Sequence, residues 1–380
     1  MLQVSKCCYV NLFSYQRISY FVHFFCCSHT VRLSYKVLYM SDLFKVILNL
    51  SAMERNTTYS KPVGFLIVGF QNLQNSGYYF IFLAFIYLAT LAANFFLMSI
   101  IWLSECLHTP KYVAVFNLSL VDVSISTALI PKCIDHFLFD SRFVLYEICL
   151  TQMFFVHCLH SMESFSLVIM AYERLVSICF PLRSSTMNTN SRMFFIIGFC
   201  WVFVFASNVI SVFFITRLSY CKNIQQIQSY FCDHGPVFKE ACSDNSANRA
   251  IASVYTVIFY ILPLSFISIS YMCIIAALSR IASAQGKWKA FKTCTAHLAL
   301  VVIFFIPLLV TYLISWSNVL VDIETRILNT SLSATLPPLL NPIIYTLKTE
   351  EVMEQIKKHI RQRKTFPQSI QLTFSRELQF

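Results

Sequence analysis

Seven stretches of this 380-residue chain are each long and apolar enough to cross a lipid bilayer, and nothing else in the sequence constrains the fold as strongly. A spanning helix needs about 20 mainly apolar residues. The stretches run from Tyr78 to Trp102, Tyr112 to His136, Cys149 to Ser177, Met193 to Phe214, Ile251 to Ser279, Ala290 to Ile314 and Ile327 to Leu347. In lipid each backbone N–H and C=O must be satisfied internally, so these spans predict an all-α bundle of seven transmembrane helices. Charged residues make up only 12% of the chain, about half the usual share, which cannot clothe a soluble fold of this length. An ordinary cytosolic enzyme is excluded, and so is a disordered chain. The third and seventh stretches hold more polar residues than lipid permits, so those side chains are expected to face other helices or a water-lined cavity.

The net charge of +11 reads as loop charge on one side of a membrane before it reads as nucleic-acid binding. The segment between spans two and three carries Asp140, Arg142 and Glu147, which nearly cancel, and the long 215–250 loop is similarly mixed. The opposite side carries Arg183, Arg192, Arg280, Lys287, Lys289 and Lys292, followed after span seven by Lys348, Lys357, Lys358, Arg361, Arg363 and Lys364. Positive charge marks that side as cytoplasmic, which places the N-terminus outside and the C-terminus inside.

Residues 1–52 hold four cysteines and many aromatics, but their longest apolar run, Ile18 to Cys27, is too short to span. They lack a signal-peptide shape and are expected to be an upstream extension, with Met53 as the working start. Residues 53–77 form an outer N-terminal segment, 78–347 the membrane domain, 348–361 a surface helix and 362–380 a cytoplasmic tail. The surface helix is expected because Val352, Met353, Ile356 and Ile360 recur at helical spacing with Lys357, Lys358 and Arg361 on other faces. Asn56-Thr57-Thr58 is a glycosylation acceptor on the outer side, Asn49-Leu50-Ser51 a second, and Asn117-Leu118-Ser119 lies inside a span.

None of the 15 cysteines has zinc-site spacing. Cys149, Cys221, Cys232 and Cys242 fall on the outer side, where an oxidising compartment favours two disulfides, and four cysteines allow three pairings. Cys133, Cys158, Cys200, Cys273 and Cys294 sit inside spans and read as small apolar packers.

At the inner end of span three stands Met170-Ala171-Tyr172-Glu173-Arg174, then Cys179-Phe180-Pro181-Leu182-Arg183. A Glu-Arg pair at a membrane boundary is costly unless the charges satisfy each other, which reads as a latch in which Glu173 holds Arg174. Leu107-His108-Thr109-Pro110 precedes span two, with Lys111 next. Lys289-Ala290-Phe291-Lys292-Thr293-Cys294-Thr295-Ala296-His297 opens span six, and Pro337-Pro338-Leu339-Leu340-Asn341-Pro342-Ile343-Ile344-Tyr345 lies in span seven. In order and spacing these runs resemble those of the olfactory (odorant) receptors within the rhodopsin-like G-protein-coupled receptors, from about Asn56 to Lys358. Lys111 stands where that family has Met, Glu173 where it has Asp, Leu175 where it has Tyr, and Ala93 where it mostly has Gly.

The resemblance implies disulfides Cys149–Cys232 and Cys221–Cys242, a small-molecule odorant as ligand, and a heterotrimeric G protein of the adenylate-cyclase-stimulating olfactory kind as partner. Buried Asn94, Asp122, Glu163 and Asn341 lie near mid-depth, where two close carboxylates need a shared proton or cation. The resemblance implies a sodium ion there; no other cofactor is expected. Pro307 follows Phe304-Phe305 in span six, and it kinks the helix so that Phe305 can act as a lever. Pro263 and Pro342 kink spans five and seven, and Tyr271 and Tyr345 are placed to swing toward Arg174.

Counting outward from Arg174, Met153, Val156, His157, His160 and Ser161 line the outer half of span three. Tyr255, Thr256, Phe259 and Tyr260 face them from span five. Phe305, Leu308, Leu309 and Tyr312 come from span six, with Ser331 and Ala334 from span seven. That is a mostly apolar cavity with a few hydroxyls and two imidazoles, suited to a small, weakly polar ligand. The outer half of span three offers no Asp or Glu to an ammonium, which argues against an amine ligand. A transporter is the alternative from another class, but the chain has 6 Gly, an odd span count and no internal repeat. A class A receptor for a lipid or peptide is the alternative within the fold. No catalytic motif such as Gly-x-Ser-x-Gly or His-Glu-x-x-His occurs, so the chain reads as no enzyme.

Overall fold

Span three lies at the centre of the bundle because its polar and small residues leave it fit for helix neighbours rather than lipid. In the computed structural model 72% of its apolar window is buried, against 22% for span four and 33% for span one. The structure describes residues 61–70, 76–279, 284–316, 322–349 and 351–358. The expected extension 1–52, Asn56, Arg280 and the tail from 359 onward lie outside them.

Seven long helices cross the molecule: span one Ser76–Leu103, two Pro110–Leu138, three Tyr146–Cys179, four Asn190–Thr216, five Ser246–Ser279, six Ala284–Trp316 and seven Ile323–Lys348. The first six are apolar enough to read as membrane-crossing by length and composition alone, whereas span seven carries three prolines and several Ser and Thr among its 26 residues. Its polar side chains are used inside the bundle: Ser331, Ser333, Thr335 and Asn341 are buried. Spans one, four and five instead turn Phe82, Phe85, Leu88, Phe195, Phe199, Ile269 and Met272 outward, as lipid-facing helices should.

Caps mark several boundaries. Thr189 Oγ1 accepts from the Arg192 N–H at 3.4 Å at the start of span four, and Asp322 accepts from the Thr325 N–H at 3.2 Å at the start of span seven. Pro110 opens span two at a position where a missing N–H costs nothing. Within the bundle, Trp201 Nε1 donates to Asn117 Oδ1 at 3.0 Å, and Asn117 Nδ2 donates to Ser166 Oγ at 2.9 Å, joining spans four, two and three. The glycosylation-like triplet at Asn117 is thus core.

Three short strands, not foreseen from the sequence, roof the outer face. β1 (Gly64–Ile67) lies between β2 (Phe143–Leu145), antiparallel, and β3 (Ile224–Ile227), parallel. Close approach demands glycine here: a Cβ on Gly64 would sit 2.3 Å from the Val144 carbonyl, and one on Gly69 2.6 Å from that of Ser229. Cys149–Cys232 ties the long outer loop to span three, and Cys221–Cys242 closes the loop on itself. Beyond span seven, extended Thr349 breaks the chain before a helix described over 351–358, whose Val352 is buried while Glu351, Glu354 and Lys357 are exposed; residues 359–361 of the expected surface helix lie outside the described residues.

Candidate functional site

Proline chemistry shapes span five. Pro263 has no N–H for the Phe259 carbonyl four residues back. The helix widens into a π turn over Val257–Ile261, and Ser164 Oγ of span three donates to that carbonyl at 2.6 Å. Phe259 and Tyr260 are thereby fixed against span three. The same device recurs in span seven: Pro342 leaves the Pro338 carbonyl unpaired, and Asn94 Nδ2 of span one donates to it at 2.9 Å.

Of the residues expected to line a pocket, Met153, Val156, Ser161, Thr256, Phe259, Tyr260, Phe305 and Leu308 are buried, with His157, His160, Tyr255 and Leu309 partly so. Tyr312 lies beyond the described side chains. The ring against His160 is Phe304, at 5.3 Å between centroids, with Phe305 edge-on behind it at 4.9 Å; Tyr260 lies 6.2 Å from His160. Several hydroxyls are engaged elsewhere. Tyr255 donates to the Ser207 carbonyl of span four, Thr256 to the Ala252 carbonyl of its own helix at 2.9 Å, and Ser331 accepts from Tyr79 at 2.7 Å.

The long loop over span three carries two residues that the helix-by-helix count omits. Asp233 and His234 follow disulfide-bonded Cys232 and hang over span three. His157 Nε2 lies 3.2 Å from Asp233 Oδ1, and the two side chains keep 31% and 29% of their surface accessible although the loop covers them. Burial works to raise Asp233, but the His157 hydrogen bond, the neighbouring imidazoles and the His234 backbone N–H together hold its carboxyl below the usual carboxylate range. His234 is 6% exposed; burial foremost, aided by His157, pushes its imidazole down to about 4, so it is neutral at pH 7. Its Nε2 is buried without a hydrogen-bond partner.

At mid-depth Asn341 Nδ2 donates to both oxygens of buried Asp122 at 3.0 Å, and Asp122 and Glu163 lie within electrostatic reach of each other. Both Glu163 carboxyl oxygens, Asn94 Oδ1 and Ser126 Oγ are buried without a hydrogen-bond partner, and His160 Nδ1 is 3.8 Å from Glu163. A set of orphaned oxygens beside two carboxyls is the donor chemistry a small hard cation requires.

At the inner end, Arg174 Nη1 lies 3.5 Å from Glu173 Oε2, and Ser177 donates to the other Glu173 oxygen at 2.9 Å. Tyr345 donates to Met170 Sδ at 2.7 Å, so span seven is held to span three one turn from Arg174. Tyr271 meets His297 Nδ1 at 2.8 Å, and His297 Nε2 lies 3.1 Å from the Leu167 carbonyl. His297 thus joins spans three, five and six; it stands in the sequence run opening span six but was not singled out. Asn329 was likewise missed: its Nδ2 donates to the Pro307 carbonyl at 3.1 Å and to Thr311 at 2.9 Å, bracing the span-six kink from span seven.

A family model described as olfactory receptor matches residues 83–363. Olfactory receptor 1F1 of Homo sapiens is 31% identical over 303 residues, covering 80% of this chain and 96% of its own length. Olfactory receptor 6N1 of Homo sapiens is 33% identical over 304 residues, with shares of 80% and 96%. Olfactory receptor 1f45 of Rattus norvegicus is 31% identical over 311 residues, with shares of 81% and 98%.

Proposed function

The chain belongs to the olfactory receptor family, a family of multi-pass membrane receptors and not of enzymes, and from that premise we propose that it binds a small, mostly apolar odorant in the outer half of the bundle and activates a cAMP-stimulating G protein. One observation carries this reading. A single buried helix, span three, carries His157 and His160 beside the outer cavity, Glu163 beside Asp122, and Arg174 against Glu173. From His157 to Arg174 is about 26 Å along a helix axis, so one rigid element connects the ligand end to the inner face.

In this reading the resting state holds Arg174 by Glu173 and holds spans five and six to span three through His297. A ligand that fits better when span six swings about Pro307 shifts the population toward a state in which Arg174, Tyr271 and Tyr345 regroup for the G protein. The loop around Pro181 to Arg192 and the basic run Arg280 to Lys292 face that partner. Asn94, Asp122, Glu163 and Asn341 would hold a sodium ion, which neutralises the buried carboxylates and favours the resting arrangement. The N-terminus, with acceptor Asn56, lies outside and the C-terminus inside.

The test is a panel of small volatile molecules applied to cells expressing the chain with a cyclic-AMP reporter. At least one is expected to give a dose-dependent signal, which Arg174→Ala abolishes at equal surface expression. Substrate flux without cyclic-AMP production would overturn the reading.

A further inference from the structure

The acid that span three lacks is delivered by the loop above it. We infer that the chamber under the outer loop takes a protonated amine with an apolar body, and that Asp233 is its counter-ion. The inference rests on the receptor reading above and adds the chemical class of the ligand to it.

The polar groups of the roof are acceptors. Asp233 is a carboxylate that can only accept, and among the described residues its ion-pair partner is the His157 imidazole rather than a Lys or Arg. Three cations of this side are engaged elsewhere: Arg142 with Asp140 at 2.8 Å, Lys132 with Asp135 at 3.0 Å, and Arg249 with Asn245 at 2.9 Å. His157 Nε2 lies 3.2 Å from Asp233 Oδ1 and accepts from the His234 backbone N–H at 3.4 Å. His234, neutral and nine-tenths buried, has its Nε2 without a partner beside the same imidazole, the rings 6.4 Å apart. A group that meets the Asp233 carboxylate must therefore donate. An ammonium brings three donors and the charge that complements Asp233, and it can place one N–H on the carboxylate and another on the His234 lone pair. Phe231, whose ring lies 6.3 Å from that of His157, offers an aromatic face to the cation. A carboxylate ligand would meet Asp233 head on, and a ketone or ether brings no donor. Below this polar end Tyr260 and Phe304 give the apolar body its walls.

The experiment uses the full chain in cyclic-AMP reporter cells and two matched sets: heptylamine, heptanol and heptanoic acid, and cyclohexylamine, cyclohexanol and cyclohexanecarboxylic acid. In at least one set the amine is expected to be more potent than the alcohol by about tenfold or more, with the acid silent. Asp233→Asn should weaken the amine by about tenfold or more while leaving the alcohol within about threefold, and Asp233→Glu should retain the amine response. An alcohol or acid as potent as the amine overturns the inference and leaves the receptor reading standing. So does an amine response untouched in D233N at equal surface expression. Silence of a surface-expressed chain toward every member overturns the inference, and silence toward the broader volatile panel as well overturns the receptor reading beneath it. Should D233N be retained inside the cell, the wild-type ranking of the three head groups decides.

Discussion

Removing the Ser164 hydroxyl tests the idea that span three repairs the break Pro263 makes in span five. Ser164→Ala leaves the Phe259 carbonyl, now served at 2.6 Å in a fully buried setting, with no donor. Hydrogen bonds between membrane helices average about 0.6 kcal/mol and reach about 1.7. A buried carbonyl stranded without a partner costs about 1–3 kcal/mol. The two ranges overlap at about 1–1.7 kcal/mol, which corresponds to a fall of about 2–5 °C in the unfolding midpoint for a chain of this size. Purified receptor in detergent can be followed with a thiol-reactive dye, since buried free Cys133, Cys158 and Cys294 become reactive only on unfolding. The decisive step is the cycle with Pro263→Ala. Alanine restores an N–H four residues after Phe259, so the carbonyl regains a backbone partner and the loss of Ser164 should then cost under about 0.3 kcal/mol. Equal costs of Ser164→Ala in the proline and alanine backgrounds would refute the reasoning.

Two further perturbations address the ends of the bundle. Gly64→Ala places a methyl 2.3 Å from the Val144 carbonyl in the central roof strand, so it should reduce surface delivery and expose β2 and the 224–227 segment to limited proteolysis; an unchanged digestion pattern counts against the sheet. At the inner face Glu351 takes Lys111 Nζ at 3.0 Å and Tyr112 OH at 3.1 Å, and although burial opposes its charge, these partners hold its carboxyl below the usual range. A depressed pKa stabilises above the unfolded value and loses that contribution as pH falls through the folded one. Lowering the pH from neutral toward 4 should therefore loosen the 351–358 helix, seen as faster hydrogen exchange there, and Lys111→Met should remove that pH dependence.

The seven spans, the inward-facing polar residues of spans three and seven and both disulfides were legible because lipid turns a long apolar run into a helix with few alternatives, and because the runs around Arg174, Asn341 and His297 match one family. What lay in the 215–250 loop was not. Asp233 and His234 occur in a stretch without periodicity, and the Cys149–Cys232 link, with hydrogen bonds from the Cys232 and His234 N–H groups to Gln152 and His157, holds them over span three. A helix-by-helix count cannot see a residue that a disulfide lowers from above. β1 escaped for a related reason: Gly64–Ile67 is four residues long, and its partners lie about 80 and 160 positions away, so no local pattern announces it. Side-chain direction was the other limit. Tyr255, Ser331 and Thr256 fall at plausible positions on their helices, yet their hydroxyls turn to Ser207, Tyr79 and Ala252.

The prolines explain how a tightly packed membrane bundle keeps an element that can move. A proline leaves a carbonyl that lipid would not forgive, and those freed at Phe259 by Pro263 and at Pro338 by Pro342 are met by side chains of a different span. A backbone bond within one helix is the same in any arrangement of the bundle. A bond from Ser164 or Asn94 holds only while the two helices keep their present register, so its energy enters the balance between arrangements. Pro307 fits the same logic from the other side, because Asn329 of span seven holds the carbonyl of the kinked residue itself. Spans five, six and seven are each tied at the kink to a neighbour by one hydrogen bond of order 1 kcal/mol. Such ties fix the resting register, yet their sum stays within the few kcal/mol that a small ligand's differential binding can supply.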